Sequence, residues 1–285
     1  MAVMGFVMGF VGSGVMAEAM IMGALGRQLA AANQIIASHP RSDRRSELEA
    51  RLKIRSTADN LEAAQAQVVV LSVKPQVLSG VLDQLRGKLA PDQLVISIVA
   101  GASSRMLASR LDHQALVLAM PNTPAQIDAG VTVWYATTQV TSELKARAKS
   151  MLEALGKAYE VDDERFVNMA TAVSGTGPTY FFLVIEALID AAVHLGFPRH
   201  VAHELVLETM LGSARFAIGS QAHPAQLKDM VTSPGGTSAA ALYALESGGL
   251  RTVLSDAVWA AYERTLTLAA ALEEGRPPSA RRGSR

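Results

Sequence analysis

An apolar run, Val7-Met8-Gly9-Phe10-Val11, leads straight into Gly12-x-Gly14-x-x-Ala17 and then into the helical pattern of Met16–Leu29. No other stretch restricts the fold so tightly. Gly12 permits a sharp turn, Gly14 removes the side chain where a pyrophosphate would approach, and Ala17 lets the helix lie close on the strand. The first N–H groups of that helix have no intrahelical acceptors, so an anion is favoured there. The pattern predicts a dinucleotide-binding βαβ unit.

The first seventeen residues carry no charge. They are nevertheless read as a buried first strand, not as a signal peptide or membrane span. No basic region opens the run, Gly5, Gly9, Gly12 and Gly14 interrupt it, and Glu18 closes it short of ~20 apolar residues. Val3-Met4-Gly5-Phe6 echoes Val7-Met8-Gly9-Phe10, which makes Met4 or Met8 a candidate start of the folded unit.

The rest of the first half alternates short apolar runs with helical stretches. Gln34–Ser38, Val68–Val73, Leu94–Val99 and Ala115–Ala119 read as parallel strands buried on both faces. Between them, Leu61–Gln67, Gln76–Leu89 and Ser103–Leu111 read as helices. This is the rhythm of a doubly wound α/β sheet, in which ligands bind beyond the C-terminal ends of the strands. After the second strand an NAD site usually places an acid about 20 residues beyond the glycines. Here Ser38, His39 and Arg41 precede the first acid, Asp43. A hydroxyl and a cation suit a 2′-phosphate, so NADPH is favoured, with NADH as the alternative.

Beyond about residue 160 the strands stop. Phe166–Ala172, Pro178–Leu195, Pro198–Ile218, Pro224–Met230, Thr237–Glu246 and Leu250–Leu272 all read as helices, several with proline in the first turn. Tyr180–Val193 is apolar nearly all round, and Glu186 and Asp190 within it argue against a membrane span. A helix apolar on every side must be covered, which predicts a homodimer of helical domains. The expected division is 1–160 for a Rossmann-type domain, 161–272 for an all-α dimerisation and substrate domain, and 273–285 for a disordered tail. The balance of 26 basic and 26 acidic residues argues against nucleic acid or a membrane surface as partner. The absence of cysteine excludes disulfides and points to the cytoplasm.

Val231-Thr232-Ser233-Pro234-Gly235-Gly236-Thr237-Ser238 forms a second Gly-rich turn that runs directly into a helix. Backbone N–H groups around Gly235–Ser238 are placed to hold a carboxylate. Thr237 and Ser238 share two roles, helix cap and ligand contact, and the residues alone do not assign them. His200-x-x-His203-Glu204 lacks a third ligand at a telling spacing and reads as helix surface, so no metal is expected.

Together with Asp59-Asn60, Val73–Leu78, Ser97–Gly101, Met120–Pro124 and Ser174–Tyr180, the two glycine-rich turns closely resemble pyrroline-5-carboxylate reductase, in order and spacing, to about Leu268. The resemblance implies reduction of (S)-1-pyrroline-5-carboxylate to L-proline by NAD(P)H, the last step of proline biosynthesis. It implies that Val11, Gly12, Ser13, Gly14, Val15 and Met16 cradle the pyrophosphate. Ser38 and Pro40 would lie near the adenosine 2′ position, where the residues themselves already suggest Arg41 as the cation. Asn60, Ser72, Val73, Lys74, Pro75, Ile98, Val99 and Ala100 would line the remaining cofactor cleft. Glu164, Gly235, Gly236, Thr237 and Ser238 would bound the substrate at a dimer interface, with Ser238 or Thr237 bonding the ring nitrogen. The family's dimers can assemble into decamers.

This chain departs from the family pattern at Val15, Asn168, Met230 and Ser238, and none of these removes a group the chemistry requires. Reduction of a cyclic imine needs the hydride donor held within about 3–3.5 Å of the carbon. The cofactor carries the hard step, and no histidine or lysine acid is required. Two alternatives compete. Another imine or β-hydroxyacid-type reductase would place a lysine in the central helix Pro178–Leu195, which has none. A catalytically silent dinucleotide-binding regulator would not need the carboxylate turn.

Overall fold

The computed structural model describes residues 7–275. The expectations for Met1–Phe6, including Met4 as a start, concern residues outside those described, as does the expected tail from residue 276 onward. By internal contacts the chain forms two units, one reaching to Gly177 and resuming at Ala260, the other Pro178–Trp259. That division falls later than the expected boundary at residue 160. The last helix runs to Glu273, so the expected tail starts inside it.

The first unit holds an eight-stranded sheet in the order β3-β2-β1-β4-β5-β6-β7-β8. The strands are β1 (Met8–Val11), β2 (Ile35–Ser38), β3 (Arg55–Thr57), β4 (Val68–Leu71), β5 (Leu94–Ser97), β6 (Leu116–Met120), β7 (Gly130–Ala136) and β8 (Gly156–Glu160). All neighbours pair in parallel except β6 and β7. Its helices are α1 (Val15–Gly26), α2 (Ser42–Leu52), α3 (Asn60–Ala63), α4 (Pro75–Leu85), α5 (Ser104–Leu111), α6 (Ser142–Glu153) and α7 (Arg165–Ala170).

Side chains alternate across the sheet because successive strand residues point to opposite faces. Phe10, Val68, Val70 and Ile96 join one buried cluster with α1 and α6, while Val11, Val69, Leu71 and Val95 join another with α4 and α5. Local signals fix the helix starts. Pro75 opens α4, and the Ser103 hydroxyl accepts the Met106 N–H at 3.1 Å to cap α5.

Three differences from the sequence reading stand out. The helix expected over Leu61–Gln67 is the single turn of α3. Strands β3, β7 and β8, with helices α2 and α6, were not expected at all, and β7 reverses the parallel order. The helices expected separately over Phe166–Ala172 and Pro178–Leu195 are continuous through the Ser174-Gly175-Thr176-Gly177-Pro178 run. Residues Thr171–Gly175 form a π-helical segment, closed by a Thr176 N–H bond to the Thr171 carbonyl at 2.8 Å, and α8 (Gly177–His194) follows. Arg165–His194 is therefore one helical stretch, and by length and composition it could cross a membrane.

The second unit is helical as expected, with α8, α9 (Arg199–Ser220), α10 (Pro224–Met230), α11 (Thr237–Ser247) and the start of α12 (Leu250–Glu273). Phe181, Phe182, Leu183 and Leu188 of α8 are exposed, as are Phe216, Tyr243 and Trp259.

Candidate active site

Strand β1 lies between β2 and β4, so the chain turns to opposite sides of the sheet at the C-terminal end of β1. That reversal opens a crevice where doubly wound sheets bind ligands. The turn of the first motif sits there. Gly12 has φ +90°, and a Cβ on it would lie 2.7 Å from Val73 Cγ1. Gly14, by contrast, faces open space, with nothing within 4 Å of where a Cβ would stand. The N–H groups of Val15, Met16 and Ala17 have no acceptor among the described residues. An open cradle of free N–H groups at a helix N-terminus fits a pyrophosphate.

Polar side chains lock this turn from beneath. The Ser38 hydroxyl accepts the Gly12 N–H at 3.2 Å and donates to Asn60 Oδ1 at 2.7 Å. Asn60 Nδ2 in turn donates to Gln84 Oε1 at 2.8 Å. The Ser72 hydroxyl donates to the Gly12 carbonyl at 2.6 Å. Ser38 is fully buried. Its hydroxyl was expected to meet a 2′-phosphate, but it faces inward and shapes the turn instead.

The cations at the end of β2 are distributed unevenly. Arg41 forms a two-pronged pair with Asp43, at 3.1 and 2.5 Å, and both side chains are exposed. The guanidinium holds the Asp43 carboxyl down to about 2. Burial holds the His39 imidazole below its ordinary range. Arg45 Nη1 donates to the carbonyls of His39 and Pro40, at 2.8 and 3.0 Å, and so fixes that loop. Arg44, which the sequence reading passed over, reaches the glycine turn itself, its Nε donating to the Ser13 carbonyl at 3.1 Å.

The other expected cofactor residues cluster at the ends of β4 and β5. Lys74 is exposed at the N-cap of α4, directly before Pro75. The Ile98 N–H bonds the Leu71 carbonyl at 3.1 Å, and Val99 is buried. Glu164, expected beside the substrate, accepts the Ser104 N–H at 3.0 Å and so braces the start of α5. Asn122 ties the end of β6 to the π-helical segment, accepting the Val131 N–H at 2.8 Å and donating to the Ser174 carbonyl at 3.1 Å.

In the second unit, Ser233-Pro234-Gly235-Gly236 closes a tight turn. The Gly236 N–H bonds the Ser233 carbonyl at 3.0 Å, and Gly235 has φ +71°. Proline followed by a positive-φ glycine is the signature of a type II turn. The N-cap of α11 is Gly236, with no side-chain cap. The expectation that Thr237 or Ser238 caps this helix is therefore corrected: they occupy its first two positions. Neither hydroxyl has a hydrogen-bond partner among the described residues. The N–H groups of Thr237, Ser238 and Ala239 likewise have none there, as a carboxylate site requires. Among the described residues no group of three or more metal-ligating side chains occurs.

Known proteins match along both units. The family model for pyrroline-5-carboxylate reductase dimerisation matches residues 164–268, and that for coenzyme F420-dependent NADP oxidoreductase matches residues 7–101. The chain is 43% identical to the pyrroline-5-carboxylate reductase of Synechocystis, covering 92% of this chain and 97% of that one. It is 41% identical to that of Pseudomonas aeruginosa, covering 91% and 96%. The crystal structure of Plasmodium falciparum pyrroline carboxylate reductase with NADP bound superposes with a TM-score of 0.85 at 30% identity, covering 93% of this chain and 98% of that one. With its two glycine-rich turns and these relatives along nearly its whole length, this chain belongs to the pyrroline-5-carboxylate reductase family.

Proposed function

We infer that this protein reduces (S)-1-pyrroline-5-carboxylate to L-proline with NADPH as hydride source, completing proline biosynthesis. The observation that carries the reading is the turn Ser233–Gly236 with the free N–H groups and hydroxyls that follow it. A dinucleotide-binding regulator has no use for such a turn, and α8 lacks the lysine of a β-hydroxyacid-type enzyme.

When bound, NADPH would supply the hydride for the imine carbon. The protein's part is to hold and orient. Backbone N–H groups of Thr237, Ser238 and Ala239 grip the substrate carboxylate. A hydroxyl of Ser238, with Thr237 as the alternative, bonds the ring nitrogen, which takes its proton from solvent before hydride addition, so that the iminium plus hydride gives the neutral amine. The cradle Gly12–Met16, with Lys74 and the Ile98–Ala100 loop, fixes the cofactor, and Arg41 meets its 2′-phosphate. The family's dimerisation region shows that the chain oligomerises. The exposed apolar side chains of α8 are where a second copy would pack, giving a homodimer that can build further, and a cysteine-free chain of balanced charge suits the cytoplasm.

The test is a spectrophotometric assay of NADPH oxidation with pyrroline-5-carboxylate, alongside light scattering. Turnover by an oligomer supports the reading. Tight NADPH binding without turnover returns the regulator.

A further inference from the structure

Arg44 reaches from α2 to bond the backbone of the glycine turn. It is mostly covered, with a side-chain exposure of 15%. Its three donor arms have separate tasks. Nε donates to the Ser13 carbonyl at 3.1 Å, Nη1 to Glu47 at 2.8 Å, and Nη2 to the Glu18 carboxylate. Glu18 stands in the first turn of α1 and is 12% exposed. Arg51 takes its second oxygen at 2.7 Å.

Two consequences follow from elementary chemistry. The Ser13–Gly14 peptide is planar and trans, so its C=O and N–H point in opposite directions. Drawing the Ser13 carbonyl toward α2 therefore turns the Gly14 N–H toward the other side of the turn. Gly14 faces open space, which leaves that side free for a phosphate. The second consequence is electrostatic. A carboxylate in the first turn of a helix competes with an anionic ligand for the same positive end. Pairing Glu18 with Arg44 and Arg51 cancels that competition, and at this burial an unpaired Glu18 would repel a pyrophosphate with little screening.

We propose that Arg44 is a positioning residue for the dinucleotide, aiming the Gly14 N–H at the pyrophosphate and neutralising Glu18 beside it. The inference rests on the reading of Gly12–Met16 as the cofactor cradle. It concerns the pyrophosphate, which NADPH and NADH share, and not the 2′-phosphate.

The experiment measures NADPH and NADH dissociation constants by fluorescence titration, and KM and kcat for each, in the full-length protein and in Arg44→Met, Arg44→Lys and Arg44→Met/Glu18→Gln. Arg44→Met is expected to weaken both cofactors about tenfold or more, as for loss of charge-assisted bonds, with KM rising more than kcat falls. Arg44→Lys keeps the charge and loses the planar fork, and is expected in between. Adding Glu18→Gln to Arg44→Met is expected to recover several-fold of the lost affinity for both. Weakening of NADPH alone would overturn the proposal in favour of a direct 2′-phosphate contact. Unchanged affinities would reduce Arg44 to a staple between α1 and α2. Should Arg44→Met fail to fold, Glu18→Gln alone decides: it is expected to bind both cofactors at least as tightly as the parent, and weaker binding overturns the proposal. If the parent protein binds neither dinucleotide, the cradle reading itself fails.

Discussion

The Ser38 hydroxyl lies 2.7 Å from Asn60 Oδ1, to which it donates, while it accepts the Gly12 N–H at 3.2 Å. A residue expected to touch the adenosine ribose therefore holds the glycine turn in shape from below. Ser38→Ala is expected to weaken NADPH and NADH by the same several-fold factor and to cost about 1 kcal/mol of stability. Paired titrations and a urea melt check this. A selective loss of NADPH would return Ser38 to the 2′ site.

The glycines of the first motif separate fold from binding. A Cβ on Gly9 would fall 1.8 Å from the Ala63 carbonyl oxygen, whereas one on Gly14 meets nothing within 4 Å. Gly9→Ala is expected to destabilise the protein by ~1–3 kcal/mol through overpacking. Gly14→Ala should melt near the parent temperature and lose most of its cofactor affinity, because the methyl group occupies the approach of the pyrophosphate. Calorimetry and fluorescence titration on both variants separate the two effects.

Arg41 and Asp43 form an exposed pair. Such pairs contribute little to stability, so the arginine is free to exchange one anion for another. Arg41→Asp is expected to raise KM for NADPH about tenfold or more relative to that for NADH. Asp43→Asn removes the competing carboxylate and should shift the ratio modestly the other way. An unchanged ratio in both variants would remove Arg41 from the cofactor site.

Because Gly236 is the N-cap of α11, neither Thr237 nor Ser238 is needed to start the helix. Both alanine variants should melt within about 0.5 kcal/mol of the parent. Ser238→Ala is expected to lower kcat roughly ten- to a hundredfold while NADPH affinity holds. Ser238→Thr should be at least neutral, since the added methyl restricts the rotamer. Loss of kcat in Thr237→Ala instead would transfer the ring-nitrogen contact to Thr237.

His113 is 5% exposed and its Nε2 lies 2.9 Å from the Gln93 carbonyl oxygen. Burial lowers its pKa from the ordinary 6.5. The unfolded chain then takes up a proton at higher pH than the folded chain, so this residue weakens folding progressively as pH falls below 6.5 and has no such effect above it. The melting temperature of the parent should decline across that acidic window, and His113→Gln should flatten the decline. Equal slopes would show that other groups control the acid limb.

How much of this was legible follows from what each element needs. Strands β1, β2, β4, β5 and β6 are buried throughout, and burial on both faces writes a plain apolar run. The edge strand β8, Gly-Lys-Ala-Tyr-Glu, is largely exposed and carries no such mark. Strand β3 is only three residues long. Among the site residues, the glycines announced themselves because backbone geometry demands them locally. The direction of the Ser38 hydroxyl did not, since its partner Asn60 is 22 residues away. The same holds for Arg44, whose contact with Ser13 spans 31 residues. Side-chain partnerships across a crossover are set by the packing of α2 and α3 on the sheet, which no local pattern records.

The hydrogen-bonded line from the Gly12 N–H through Ser38 and Asn60 to Gln84 consists of one amide, one hydroxyl and two carboxamides. None of these groups gains or loses a proton in ordinary aqueous buffers. The floor of the nucleotide turn is thus indifferent to acidity, and so is the hydroxyl-bearing entrance to α11. A pH–rate profile of this enzyme would then owe nothing to these groups, leaving the ionisation of the imine it consumes, and of the His39 imidazole at the end of β2, to shape it.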